Sequence, residues 1–299
     1  MCELGECGQR GLKVEPGGDP TGGRANDPLS AARHAGTGRE TRARTATHSL
    51  PYLDRWASPM RDDPLLDAPT DPDQLYQYRG RGEVPLHRPW NQGDIVEHLQ
   101  VRGGLVLDLA MLVAHPCSLR KGNELRPALA VVEVVEQRVP ASRWPTGFYD
   151  YCPLPGFEQL GGRPRAALFH HLYTVDSCEL HAGSRVAALS DYGAVVFLQR
   201  WIKHASRVTV KPGEIQDQIQ PVLTEIALQE EWCAAALARE AAADQPRPND
   251  EVIAVEGAAF QAFLGTGEDS LRKQLEDPVL RPRVQRETLR ESENRYPAP

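Results

Sequence analysis

Apolar positions concentrate in two short runs near the centre of the chain, residues 105–114 and 128–134. Between them lies a dense polar loop, His115-Pro-Cys-Ser-Leu-Arg-Lys-Gly-Asn123. Runs of this length, bounded by Pro and Gly, predict buried strands. Residues 93–98 (GDIVEH) predict entry into an earlier strand and residues 166–175 a later one. Residues 184–189 (SRVAAL) read as a last strand or a lead into the following helix. Residues 144–157 (WPTGFYDYCPLPGF) break the pattern with turn residues and aromatics. Short strands separated by Gly/Pro turns predict an α+β fold over residues 76–211, built on a small, bent antiparallel β-barrel.

The periodicity then changes. Ser190 caps a predicted helix over residues 190–207, in which Val195, Leu198, Ile202 and Ala205 recur at helical spacing beside the Phe197/Trp201 pair. Arg200, Lys203, His204 and Arg207 share one face of it, read as exposed. That face is a solvated surface or a place to meet phosphates. Beyond Lys211-Pro212 the chain reads as helical, with Pro221 in a first turn before VLTEIALQEEWCAAALAREAAA. Asn249 is expected to cap a helix through Phe263, Gly265 to end it, and Asp269 or Ser270 to cap a short helix that Pro278 ends. Residues 281–299 are expected to fray, and the whole of 212–299 to be a helical extension that docks on something else.

Residues 1–75 carry no such pattern. The stretch up to residue 59 is rich in Gly, Pro and charge, too polar to offset its ordering entropy, and the whole of 1–75 is expected to be a disordered N-terminal segment. Met60 is an alternative start, with residues 1–59 then an over-extended reading frame.

Charge divides the chain. The net charge is −7 overall, but residues 1–78 carry −3, residues 79–211 carry +4 and residues 212–299 carry −8. A mildly basic centre beside an acidic helical third suits a nucleic-acid surface next to a partner-binding region. No apolar stretch approaches the ~20 residues that span a bilayer, and the first sixty residues hold no apolar signal core. The six cysteines are scattered without framework spacing, which fits a reducing cytoplasm.

Three chemistries are open to the polar residues. His115 and Cys117 lie two apart, so an extended backbone would put imidazole and thiol on one face, as a reactive pair or as a structural one. Cys178-x2-His181, with His170, His171, Cys152 and the His115/Cys117 pair, has zinc-like spacing without the second close pair of a true array. Arg120, Lys121, Arg126, Arg163 and Arg165, with Phe148, Tyr149 and Tyr151, offer cations and stacking rings for a single strand. No phosphate-loop, dinucleotide, HExxH or GxSxG element is present.

The segments GDIVEH (93–98), AHPCSLR (114–120) and RVAALSDYGAVVFLQRWIKHASRV (185–208) together resemble bacterial proteins related to the PemK/MazF-like SH3-type barrels, over about residues 90–210. The resemblance implies a small curved barrel capped by a helix. It also implies, from the toxin members, metal-independent cleavage of single-stranded RNA by an Arg beside a Ser or Thr on the barrel face. Arg126-Pro127 is the local match to that Arg, although the HPCSLRKGN loop intervenes where the toxins run straight to Gly-x-Arg-Pro.

The expectation is therefore a cytoplasmic, non-catalytic binding module. It contacts a protein partner, through the acidic C-terminal helices, or single-stranded nucleic acid; the alternative is the metal-independent endoribonuclease. Its candidate binding residues are His115, Cys117, Ser118, Arg120, Lys121 and Arg126 in and beside the loop, and Arg200, Lys203 and Arg207 on the helix. No catalytic residue, metal or cofactor is assigned.

Overall fold

The computed structural model describes residues 65–297, apart from 122–123, 141–142, 148, 158–162 and the side chain of Cys117. Residues 1–64, which include Met60 and most of the segment expected to be disordered, lie outside the described residues. Among the described residues nine strands form: β1 (Tyr76–Arg79), β2 (Ile95–Gln100), β3 (Val106–Leu112), β4 (Arg120–Lys121), β5 (Glu124–Leu125), β6 (Ala128–Glu136), β7 (Tyr151–Leu154), β8 (Arg165–Asp176) and β9 (Arg185–Leu189). Six helices accompany them: α1 (Pro116–Leu119), α2 (Asp191–Ser206), α3 (Pro212–Ala241), α4 (Asn249–Leu264), α5 (Leu271–Leu275) and α6 (Arg281–Arg295).

The fold is α+β. Seven strands make one antiparallel sheet in the order β1-β9-β2-β3-β6-β8-β7, and β4 and β5 make a separate two-stranded ribbon. The sheet does not close into the expected barrel, because β1 and β7 end the order as unpaired edges. Alternate residues of the central strands enter different cores. In β3, Ala110 and Leu112 join one and Leu109 and Met111 the other. In β6, Leu129 and Val131 oppose Val132 and Val134. A strand covered on both faces needs apolar residues in both parities, which is why these segments read as continuous apolar runs.

α2 and the start of α3 cover the first face. Ser190 caps α2 by accepting the Gly193 N–H at 3.0 Å, and Phe197 and Trp201 meet Phe169 of β8 edge-on at 5.8 and 5.0 Å. Ile215, Ile219 and Leu223 of α3 enter the same core. The ordered fold also begins before Tyr76: Leu66 and Leu75 are buried, and a 3-10 turn over Pro72–Leu75 leads into β1.

The C-terminal helices correct the sequence reading in three places. α3 starts with Pro212 in its first turn and carries Pro221 in its interior, where the missing N–H is tolerated because flanking residues on both sides are held in the core. Asn249 is the first helical residue of α4, after Pro248. Residues 281–295 form α6, in which Val284, Thr288 and Ser292 are buried. Leu228, Trp232, Phe260, Leu264, Leu275 and Val284 build a third core of their own. An appendage with no core is not what the chain makes.

Candidate binding cleft

Residues 85–90 (PLHRPW) run between β1 and β2 as a strap, and the sequence pins it with one arginine. The Arg185 side chain on β9 is fully buried and pairs with Asp94 at 2.9 Å. Its guanidinium also donates to the carbonyls of Arg88 at 2.9 Å and Pro85 at 3.1 Å, and lies over the Trp90 ring at 4.5 Å. Asp94 also accepts the Asn91 N–H at 2.9 Å. A buried ion pair is tolerable when further hydrogen bonds offset its desolvation, and the strap carbonyls accept from both terminal nitrogens of Arg185.

The strap meets the helical arm through a second buried pair. Arg88 reaches Glu230 of α3 at 2.5 Å, and the Tyr78 hydroxyl donates to the other oxygen of Glu230 at 2.5 Å. Burial and that carboxylate raise the Tyr78 pKa, so the phenol stays protonated. Beside this junction opens a cleft of about 530 Å³. Leu86, His87, Arg88 and Trp90 of the strap form one wall, Leu125 and Arg120 a second, and Asn249, Asp250, Ile253 and Ala254 of α4 a third. Leu86 is 54% exposed there. Burial lowers the His87 pKa and keeps its imidazole neutral near pH 7. A smaller cavity of about 270 Å³ adjoins it, with Arg120 in both walls.

The loop expected to carry function is divided. Its first part folds into the single turn α1, where the Ser118 hydroxyl donates to the His115 carbonyl at 2.8 Å. His115 and Ser118 are exposed, so His115 is not half of a buried pair, and the Cys117 side chain lies outside the described residues. Lys121 and Arg126 are exposed on the ribbon and just after it. Unlike Lys121 and Arg126, Arg120 turns inward, donating to the Trp90 carbonyl.

The helix face separates further. Arg200 is not exposed but wholly buried, because residues 65–68 and Trp144 cover that side of α2. It donates to the Trp144 carbonyl at 3.0 Å and the Asp67 carbonyl at 3.3 Å and stacks on the Trp144 ring. It is a tie between segments, and its desolvation lowers its pKa. Lys203 is half-buried, and Arg207 is exposed, 3.8 Å from Asp150 and over the Tyr149 ring at 4.8 Å. Arg163 and Arg165 of the expected nucleic-acid cluster both pair with Glu136, at 2.7 and 3.6 Å. Among the described residues no group of three or more His, Cys, Asp or Glu side chains is placed to hold a metal ion.

Arg88, Trp90 and Leu86 escaped the sequence reading. The signal available was Leu and Arg between two prolines with Trp directly after them, a composition too rich for a plain connector. The α4 wall had no local signal. No helix of the described residues is long and apolar enough to cross a membrane. No family model matches the chain, and no curated protein matches it.

Proposed function

We propose that the chain is a cytoplasmic, non-catalytic binding module that receives a segment of a partner protein in the cleft between strap and helical arm. One observation carries this reading. The cleft has the size and character of a recognition pocket, a half-open space of about 530 Å³ with apolar walls from two packed layers and a few polar groups set into them. Exposed Leu86 at its edge is the sort of apolar surface that a partner covers. The acidic helices enter this reading through α4, whose residues line the cleft.

The competing reading is the PemK/MazF-like endoribonuclease, which rests on the resemblance over residues 90–210 and on the exposure of Arg126. Panning a displayed dodecapeptide library against the full chain, with Ile253→Asp as counter-selection, separates the two. The binding module predicts enriched peptides that are lost on the variant. Equal enrichment on both proteins would remove the cleft from consideration. Cleavage of labelled single-stranded RNA in chelator, abolished by Arg126→Ala with the fold intact, would replace this reading with the ribonuclease. A salt-sensitive shift of RNA without cleavage would replace it with nucleic-acid binding.

A further inference from the structure

The arginines of the junction are not equivalent. Arg185 has Asp94, Arg88 has Glu230, and Arg272 has Glu225 at 3.2 Å. Arg120 has no carboxylate within ion-pair distance among the described residues; Glu225 and Asp94 act on it only from farther away, and both are already engaged. Among the described residues its side chain makes one hydrogen bond, to the Trp90 carbonyl, whereas a guanidinium carries five N–H donors. Desolvation outweighs the distant carboxylates and lowers its pKa. Arg120 is partly buried, and a guanidinium partly withdrawn from water gains from a counter-charge. Here the side chain instead fronts two cavities.

We propose that Arg120 anchors an anion in the larger cleft, and that the natural occupant is the C-terminal end of a partner polypeptide, its free carboxylate on Arg120 and its last apolar side chain among Leu86, Leu125 and Ile253. The proposal rests on the reading of the cleft as a partner site and gives that partner its chemistry. A guanidinium meets a carboxylate through two parallel N–H bonds, with a directionality that a point charge lacks. Capture of a terminal carboxylate is an established way of reading a chain end. The cleft's other charges narrow the choice. Arg88 is neutralised by Glu230 and His87 is neutral, leaving Asp250, exposed in the first turn of α4, as the opposing carboxylate. Asp250 disfavours a dianion such as a phosphate ester. Asp250 and the amide of Asn249 can accept the N–H that precedes a chain-terminal carboxylate, a donor that a simple organic acid does not have.

Titration of the isotope-labelled full chain, followed by NMR at the Trp90 indole N–H, tests this. The probes are N-acetyl-leucine, its amide, and 4-methylpentanoate, which keeps the carboxylate and the apolar body but lacks the amide. N-acetyl-leucine is expected to saturate the shift at about tenfold lower concentration than its amide, the difference a charged hydrogen bond makes. Methylpentanoate is expected to fall between them. Arg120→Gln is expected to bring acid and amide to the same affinity. Equal binding of acid and amide by the native chain overturns the proposal, as does an acid preference that survives in Arg120→Gln. Methylpentanoate binding as tightly as N-acetyl-leucine assigns the site to a free acid and overturns the chain end. No saturation by any probe, with library peptides still captured in an Ile253-dependent way, overturns the anchor and leaves the partner site standing. Loss of both removes the partner site itself.

Discussion

At the scale of single residues, buried charge is the dominant device. Arg185 and Asp94 are desolvated together, and their pairing holds the strap that forms one wall of the cleft. Removing one partner leaves the other uncompensated. Asp94→Ala is therefore expected to cost about 3–5 kcal/mol in a denaturant melt, and to weaken any ligand of the cleft by releasing residues 85–90. A loss below ~1 kcal/mol would show that water reaches Arg185. Burial also acts on thiols. Cys152 and Cys233 are enclosed, and their pKa values rise to about 12. An unfolded chain releases these protons from about pH 8.5, whereas the folded chain keeps them until near 12. Stability is thus full below that window and falls as pH rises through it. Melting curves at about pH 8 and about pH 11 check this: Cys152→Ala is expected to lower the melting temperature at the lower pH and to flatten its fall between the two. An unchanged dependence would remove Cys152 as its source.

At the scale of elements, close approach decides more than propensity. α2 begins against the end of the 3-10 turn, where the Ser190 N–H donates to the Leu75 carbonyl at 3.0 Å. A Cβ placed on Gly193 would sit 2.1 Å from that same carbonyl oxygen. Alanine is the better helix former by ~1 kcal/mol, so the sign of Gly193→Ala separates the two effects. It is expected to destabilise the fold by about 1–3 kcal/mol, measured by urea unfolding. A stabilising substitution would mean that the helix start shifts freely. β2 shows a different adjustment. His98 adopts φ 54 within the strand, a conformation that non-glycine residues seldom hold. Val96 and Leu99, three apart, both enter the second core. Strict alternation would send them to opposite faces, so the strand bends at this point.

At the scale of the molecule, α3 is the link. Its first half contributes Ile215, Ile219 and Leu223 to the core under the sheet, and its second half contributes Leu228 and Trp232 to the core of the arm. A helix of 30 residues is about 45 Å long, enough to reach both. Glu230, in the second half, adds the buried pair with Arg88. Sheet and arm are expected to unfold together, as one calorimetric transition for residues 65–297. Two separated peaks would show that the arm melts first and that the cleft opens with it.

The sequence by itself determined the central strands, α2 with its Ser190 cap, the stop at Gly265 and a helix start at Asp269 or Ser270, because each is written in local periodicity or capping chemistry. It determined the α+β class and the change to an acidic helical third for the same reason. β1 and β7 were hidden, since edge strands of four residues within aromatic and proline-rich stretches carry too few positions to show alternation. Whether the sheet closes was not legible either, because closure depends on strand order and bend, and both set only long-range pairings. Charge was read least well. Arg120, Arg126 and Arg200 are the same residue type in similar surroundings along the chain, yet one fronts a cleft, one faces solvent and one is sealed against Trp144. Local pattern fixes which way the backbone turns. Which cation loses its water, and which is left without a counter-charge, is decided only when segments far apart in the chain are brought together.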